Sequence, residues 1–110
     1  MLSLKPDSFS GTKLLDSRDI LAVFYASWCP FCRRFLTIFE SAMTNKNNPQ
    51  GALVDISDGD SPLWETFGIE IVPTLVGFRN GAAVVRKDGV AGVGLGMPDL
   101  DDALEKMQKL

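Results

Sequence analysis

The tightest constraint on this chain is an abrupt change of pattern near residue 26. Before it runs Ile20-Leu21-Ala22-Val23-Phe24-Tyr25, an apolar, β-branched and aromatic stretch that reads as a buried strand. After it, Phe35, Leu36, Phe39, Ala42 and Met43 recur at helical spacing. A buried strand therefore feeds directly into a helix. The corner between them is Ala26-Ser27-Trp28-Cys29-Pro30-Phe31-Cys32-Arg33-Arg34, which holds both cysteines and one of the two tryptophans.

Pro30 suits the first helical turn, where its missing N–H removes nothing the helix needs, so Cys29 falls at or just before the helix start. Unpaired N–H groups and the positive end of the macrodipole favour an anion there, and Arg33 and Arg34 add positive charge nearby. Cys29 is thus the expected nucleophile. A free thiol with a pKa of about 8.5 is only slightly ionised at pH 7, whereas a helix start in a Cys-x-x-Cys motif can bring it to about 7 or below. Cys32, one turn on, joins the apolar stripe of the helix and is expected to be the more buried thiol. Side chains three apart on a helix have Cβ atoms about 5–6 Å apart, close enough for a modest backbone adjustment to allow a disulfide. The chemistry implied is thiol–disulfide exchange. Cys29 attacks a substrate disulfide, a mixed disulfide forms, and Cys32 resolves it.

Composition narrows the alternatives. A chain of 110 residues, 45% hydrophobic and 23% charged, fits one globular domain over residues 1–110 with a real core. The net charge of −3, with no basic cluster beyond Arg33-Arg34, argues against a nucleic-acid surface. Apolar runs fall well short of the roughly 18–20 residues of a membrane span, and the start, Met1-Leu2-Ser3-Leu4-Lys5-Pro6, lacks a basic segment followed by an apolar one. A cytoplasmic monomer is the expectation. Histidine is absent, which removes Ser-His or Cys-His hydrolysis, histidine-based zinc sites and a histidine pH switch. Zinc or an iron–sulfur cluster needs about four ligands, and two thiolates without imidazole would need a second subunit or carboxylates to complete the set. No metal and no cofactor is expected.

The rest of the chain supports the corner. Met1 to Leu4 reads as a short edge strand ended by Lys5-Pro6. Asp7-Ser8 offers a cap for a helix that Gly11 would weaken. The long helix should stop in the polar cluster Asn45-Lys46-Asn47-Asn48-Pro49, and Ala52-Leu53-Val54-Asp55-Ile56 is a second strand, parallel to the first through a right-handed crossover. Pro62 opens a short helix through Leu63, Trp64 and Phe67 to Gly68. Thr74–Arg79 and Ala82–Lys87 flank Asn80-Gly81, a strong hairpin signal. Asp88 to Gly96 is a glycine-rich connection, and Pro98-Asp99 opens a last helix with Leu100, Ala103, Leu104, Met107 and Leu110 on one face.

Across nearly its whole length this pattern resembles the thioredoxin family. The strand into Trp28-Cys29-Pro30-Phe31-Cys32, then Gly68-Ile69-Glu70-Ile71-Val72-Pro73-Thr74, the Asn80-Gly81 hairpin and a terminal helix carry the likeness. The resemblance implies an α/β thioredoxin fold: a central mixed sheet of four to five strands flanked by helices on both faces. It implies that Pro73 follows a cis peptide bond and lies against the cysteines, that Val72 offers backbone groups to an extended substrate, and that Trp28 covers the reactive sulfur. Pro30 and Phe31 form the tip of the turn, with Phe31 expected to be exposed and to touch substrate. A glycine after the hairpin admits the substrate; Gly89 is the best match by distance from Gly81, and Gly92 the alternative.

Two departures from the family stand out. Where many thioredoxins bury an aspartate before the motif, this chain has Val23, and Ala52-Leu53-Val54 supplies no lysine partner. Pro30-Phe31 replaces the usual Gly-Pro and is reminiscent of glutaredoxins. Three functions therefore stay open: a protein dithiol–disulfide oxidoreductase, a glutathione-dependent glutaredoxin-like enzyme, and a non-catalytic thioredoxin-fold binding module. The partners implied are disulfide-containing client proteins and a thioredoxin reductase-like or glutathione-linked reductant.

Overall fold

The computed structural model describes residues 1–110. In chain order the elements are β1 (Leu2–Leu4), a 3-10 turn (Pro6–Ser8), β2 (Phe9–Ser10), β3 (Lys13–Leu14), β4 (Ile20–Tyr25), α1 (Pro30–Met43), β5 (Gln50–Asp55), α2 (Leu63–Thr66), β6 (Thr74–Arg79), β7 (Ala82–Lys87) and α3 (Met97–Lys109). Five strands make one sheet in the order β1-β5-β4-β6-β7. β1 and β4 both run parallel to β5, while β6 is antiparallel to β4 and to β7.

The all-apolar sequence of β4 follows from its central position. Alternate side chains of a strand enter opposite faces of the sheet. Ile20, Ala22 and Phe24 enter one buried cluster with Phe67, Phe78 and Val54, whereas Leu21 and Val23 enter a second with Phe35, Phe39, Leu100 and Met107. Helix α1 buries Cys32, Phe35, Phe39 and Met43 along one stripe. Helix α3 buries Leu100, Ala103 and Met107, and Asp99 caps it by accepting the Gly96 N–H at 2.9 Å. No helix is long and apolar enough to cross a membrane.

Two readings of the sequence are corrected. The segment after Asp7-Ser8 is not a helix but a miniature antiparallel hairpin pairing Phe9 with Leu14. Gly11, at φ +59°, makes its turn, a conformation that costs a glycine little. Packing fixes the outcome: the Phe9 ring lies 5.3 Å from that of Phe67 and 5.9 Å from that of Phe78, centroid to centroid. Leu110 does not extend the α3 face either; it lies beyond the last helical residue and is exposed. The Asn80-Gly81 turn forms as expected, with φ of 53° and 84°.

Candidate active site

The site lies where β4 hands over to α1. Cys29 is the N-cap of the helix and Pro30 its first residue. The Cys32 N–H donates to Cys29 Sγ at 3.3 Å, so a helix-start donor that would otherwise be orphaned points at the first sulfur. From the other side the Cys29 thiol faces the Val72 carbonyl oxygen at 3.6 Å. The two cysteines are free; Cys29 is 6% exposed and Cys32 fully buried. Burial pushes the Cys32 thiol up from about 9.0 to about 12, and the neighbouring Cys29 pushes it the same way, against a smaller opposing effect of a backbone hydrogen bond at Ala26. Cys32 is therefore held protonated at neutral pH.

Across from the thiols, the Val72–Pro73 peptide is cis, and both residues are buried. Gly89 is packed against this turn: a Cβ added there would stand 2.5 Å from the Pro73 carbonyl oxygen and 3.1 Å from the Ile71 side chain. Gly92 has open space around it and touches neither cysteine nor proline turn. Beside Gly89 runs a groove of about 280 Å³ lined by Gly68, Glu70, Ile71 and Asp88. A larger groove of about 430 Å³, lined by residues such as Leu4, Tyr25 and Asp55, includes neither cysteine.

Trp28 is 61% exposed, and its indole is fixed in two ways. It stacks on Trp64 at 6.4 Å with the planes 9° apart, and its Nε1–H donates to the Ser57 carbonyl at 2.9 Å. Ser57 Oγ also accepts the Ser27 N–H at 2.7 Å, and Asp55 accepts from Ser57. Ser57 and the stacking role of Trp64 had no sequence signal, because both act across about thirty residues of chain.

One expectation changes at the helix start. Phe31 is half-buried rather than exposed, because Gly94 packs against its Cβ. Both arginines of the motif are tied to backbone carbonyls. The Arg33 guanidinium donates to the Ser27 carbonyl at 3.2 Å and that of Arg34 to the Val93 carbonyl at 2.8 Å.

Fold and site define a dithiol protein: a mixed sheet whose central strand delivers two cysteines, one at a helix cap and one behind it, opposite a proline turn. The family model for thioredoxin matches residues 1–94. A thioredoxin of Mycolicibacterium smegmatis is 30% identical over 105 residues, 94% of each chain. A protein disulfide isomerase-like 2-1 of Oryza sativa subsp. japonica is 31% identical over 80 residues, 71% of this chain but 22% of that protein. Among solved structures, thioredoxin f2 of Chlamydomonas reinhardtii superimposes with a TM-score of 0.80 at 19% identity, covering 100% of this chain and 98% of its own. This chain belongs to the thioredoxin family. It is a thiol–disulfide oxidoreductase, as thioredoxins and protein disulfide isomerases are.

Proposed function

We propose that the protein reduces disulfides of client proteins, with Cys29 as nucleophile and Cys32 as resolving thiol. The observation that carries this reading is the unequal environment of the two sulfurs: Cys29 receives a helix-start N–H, while Cys32 is fully buried behind it. The Cys29 thiolate attacks one sulfur of a client disulfide; that S–S bond breaks as a Cys29–client bond forms, and the departing client thiolate takes up a proton. Cys32 then loses its proton and attacks Cys29 Sγ, expelling the second client thiolate. Two electrons have passed to the client, and Cys29–Cys32 is left as a disulfide.

The client chain lies extended along Val72 and Pro73, its backbone meeting that of Val72 and its flanks resting on Pro30, Phe31, Trp28 and Gly89. The packing of Gly89 on the Pro73 carbonyl supports Gly89 over Gly92 for this role. A thioredoxin reductase-like enzyme restores the dithiol. Insulin reduction tests the reading. Turnover is expected with a thioredoxin reductase as electron source, none in Cys29→Ser, and a trapped mixed disulfide in Cys32→Ser. Turnover with glutathione alone would move the protein to the glutaredoxin-like reading, and none with either source would leave the binding module.

A further inference from the structure

The glycine-rich connection from Asp88 to Gly96 does more than join β7 to α3. Its middle is a compact turn in which the Gly94 and Val93 N–H groups donate to the Val90 carbonyl at 2.7 and 2.9 Å, and the Val90 N–H donates to the Gly94 carbonyl at 3.2 Å. One end of the connection, Gly89, sits on the Pro73 carbonyl; the other, Gly94, sits on Phe31, where an added Cβ would come 2.8 Å from Phe31 Cβ. The connection therefore bridges the two halves of the site, the proline turn and the cysteine corner. Arg34, on the exposed side of α1, reaches across this junction. Its guanidinium lies 5.5 Å from the centroid of the Phe31 ring and donates to the Val93 carbonyl at 2.8 Å. One side chain thus holds the motif aromatic and the loop at once.

We propose that Arg34 is a positioning residue for client binding, a clamp that fastens the Val90–Gly94 turn to Phe31 and so keeps the client-facing surface in one shape. The proposal rests on the oxidoreductase reading for its kinetic consequence, but the clamp itself is independent of turnover. An ordered loop binds an extended chain without first losing conformational freedom, so removing the clamp weakens client capture and spares the sulfur chemistry.

Arg34→Ala separates these effects. Amide exchange at Val93 and Gly94 is expected to quicken about fivefold, the size of effect that losing one exposed charge-assisted hydrogen bond supports. KM for insulin is expected to rise by a similar factor of about five, with kcat within about twofold of the parent. Both changes should persist in about 0.5 M salt, where screening falls to a few ångströms and a pure charge-steering effect disappears. Gly94→Ala, which presses a methyl group against Phe31 and must hold φ near +78°, loosens the same junction from the loop side and should reproduce the pair of changes. Unchanged exchange in Arg34→Ala, an unchanged KM, or a KM effect abolished by salt overturns the clamp. A parent protein that fails to reduce insulin overturns the oxidoreductase reading instead, and the exchange measurement alone then decides whether the clamp exists.

Discussion

For Cys32 to act as the resolving thiol proposed above it must ionise, yet its surroundings keep it neutral. Burial is the largest cause of its raised pKa, and that cause survives when Cys29 is tied up in the mixed disulfide. Val23, fully buried and paired in register with Leu53, supplies no base from the adjoining strand. The proton must leave to solvent, so insulin reduction by the parent is expected to climb steadily from pH 7 into the alkaline range. Val23→Asp would introduce a proton acceptor and should raise turnover at pH 7 by at least about tenfold, a modest share of what a positioned base contributes. The variant's circular dichroism must show it folded, since an unpaired buried carboxylate is costly. A folded variant no faster than the parent at pH 7 defeats this account of Val23. Gly89 offers a steric counterpart. A methyl group there meets the Pro73 carbonyl, so Gly89→Ala should cost about 1–3 kcal/mol in urea unfolding, as overpacked sites do, and should impair insulin reduction. An alanine variant as stable and active as the parent would show that the turn and the loop separate freely.

Among the elements, the small hairpin of β2 and β3 contributes more to the core than its length implies. Phe9 packs on the rings of Phe24, Phe67 and Phe78, two of which belong to the central strands. Phe9→Ala should therefore lose about 3–5 kcal/mol in urea unfolding, the usual cost of truncating a buried phenylalanine; a loss below about 1 kcal/mol would mean the hairpin is only a loop. Sequence could not reveal this element, because two-residue strands have no periodicity to read and Asp7-Ser8 mimics a helix cap. The long elements were legible for the opposite reason. β4 and α1 carry runs with clear periods, and Asn80-Gly81 demands its own turn type. Within the site, the cysteine corner was readable as local chemistry, namely a proline at N1 and a sulfur at the cap. The contacts of Arg34 with Val93, Trp28 with Ser57 and Phe31 with Gly94 were not, since each joins residues about thirty or more positions apart. The correction to Phe31 is of this kind.

On the scale of the whole molecule, the sheet carries one apolar layer on each face, and α1 serves both. Its first turn places Cys29 and Cys32 in the cluster with Phe24, Val54 and Val72, while Phe35, Phe39 and Met43 close the other cluster with Leu75 and Leu100. Both thiols sit inside the first of these clusters, so ionising the buried one disturbs the packing of the fold and not only the site. The consequence for stability has a definite sign. In the unfolded chain Cys32 is half-ionised near pH 9, whereas in the folded protein it reaches that point only near 12. The folded state binds more protons across that interval, so the contribution is present in full below about pH 9 and is lost as pH rises toward 12. The reduced protein should accordingly show a urea midpoint that falls between about pH 8 and pH 10 more steeply than that of Cys32→Ala. Tyr25, whose pKa burial also raises, titrates in both proteins and cancels in the comparison. Equal slopes for the two would mean that Cys32 ionises in the folded protein as readily as in the unfolded chain, and the buried resolving thiol on which the exchange mechanism depends would be lost.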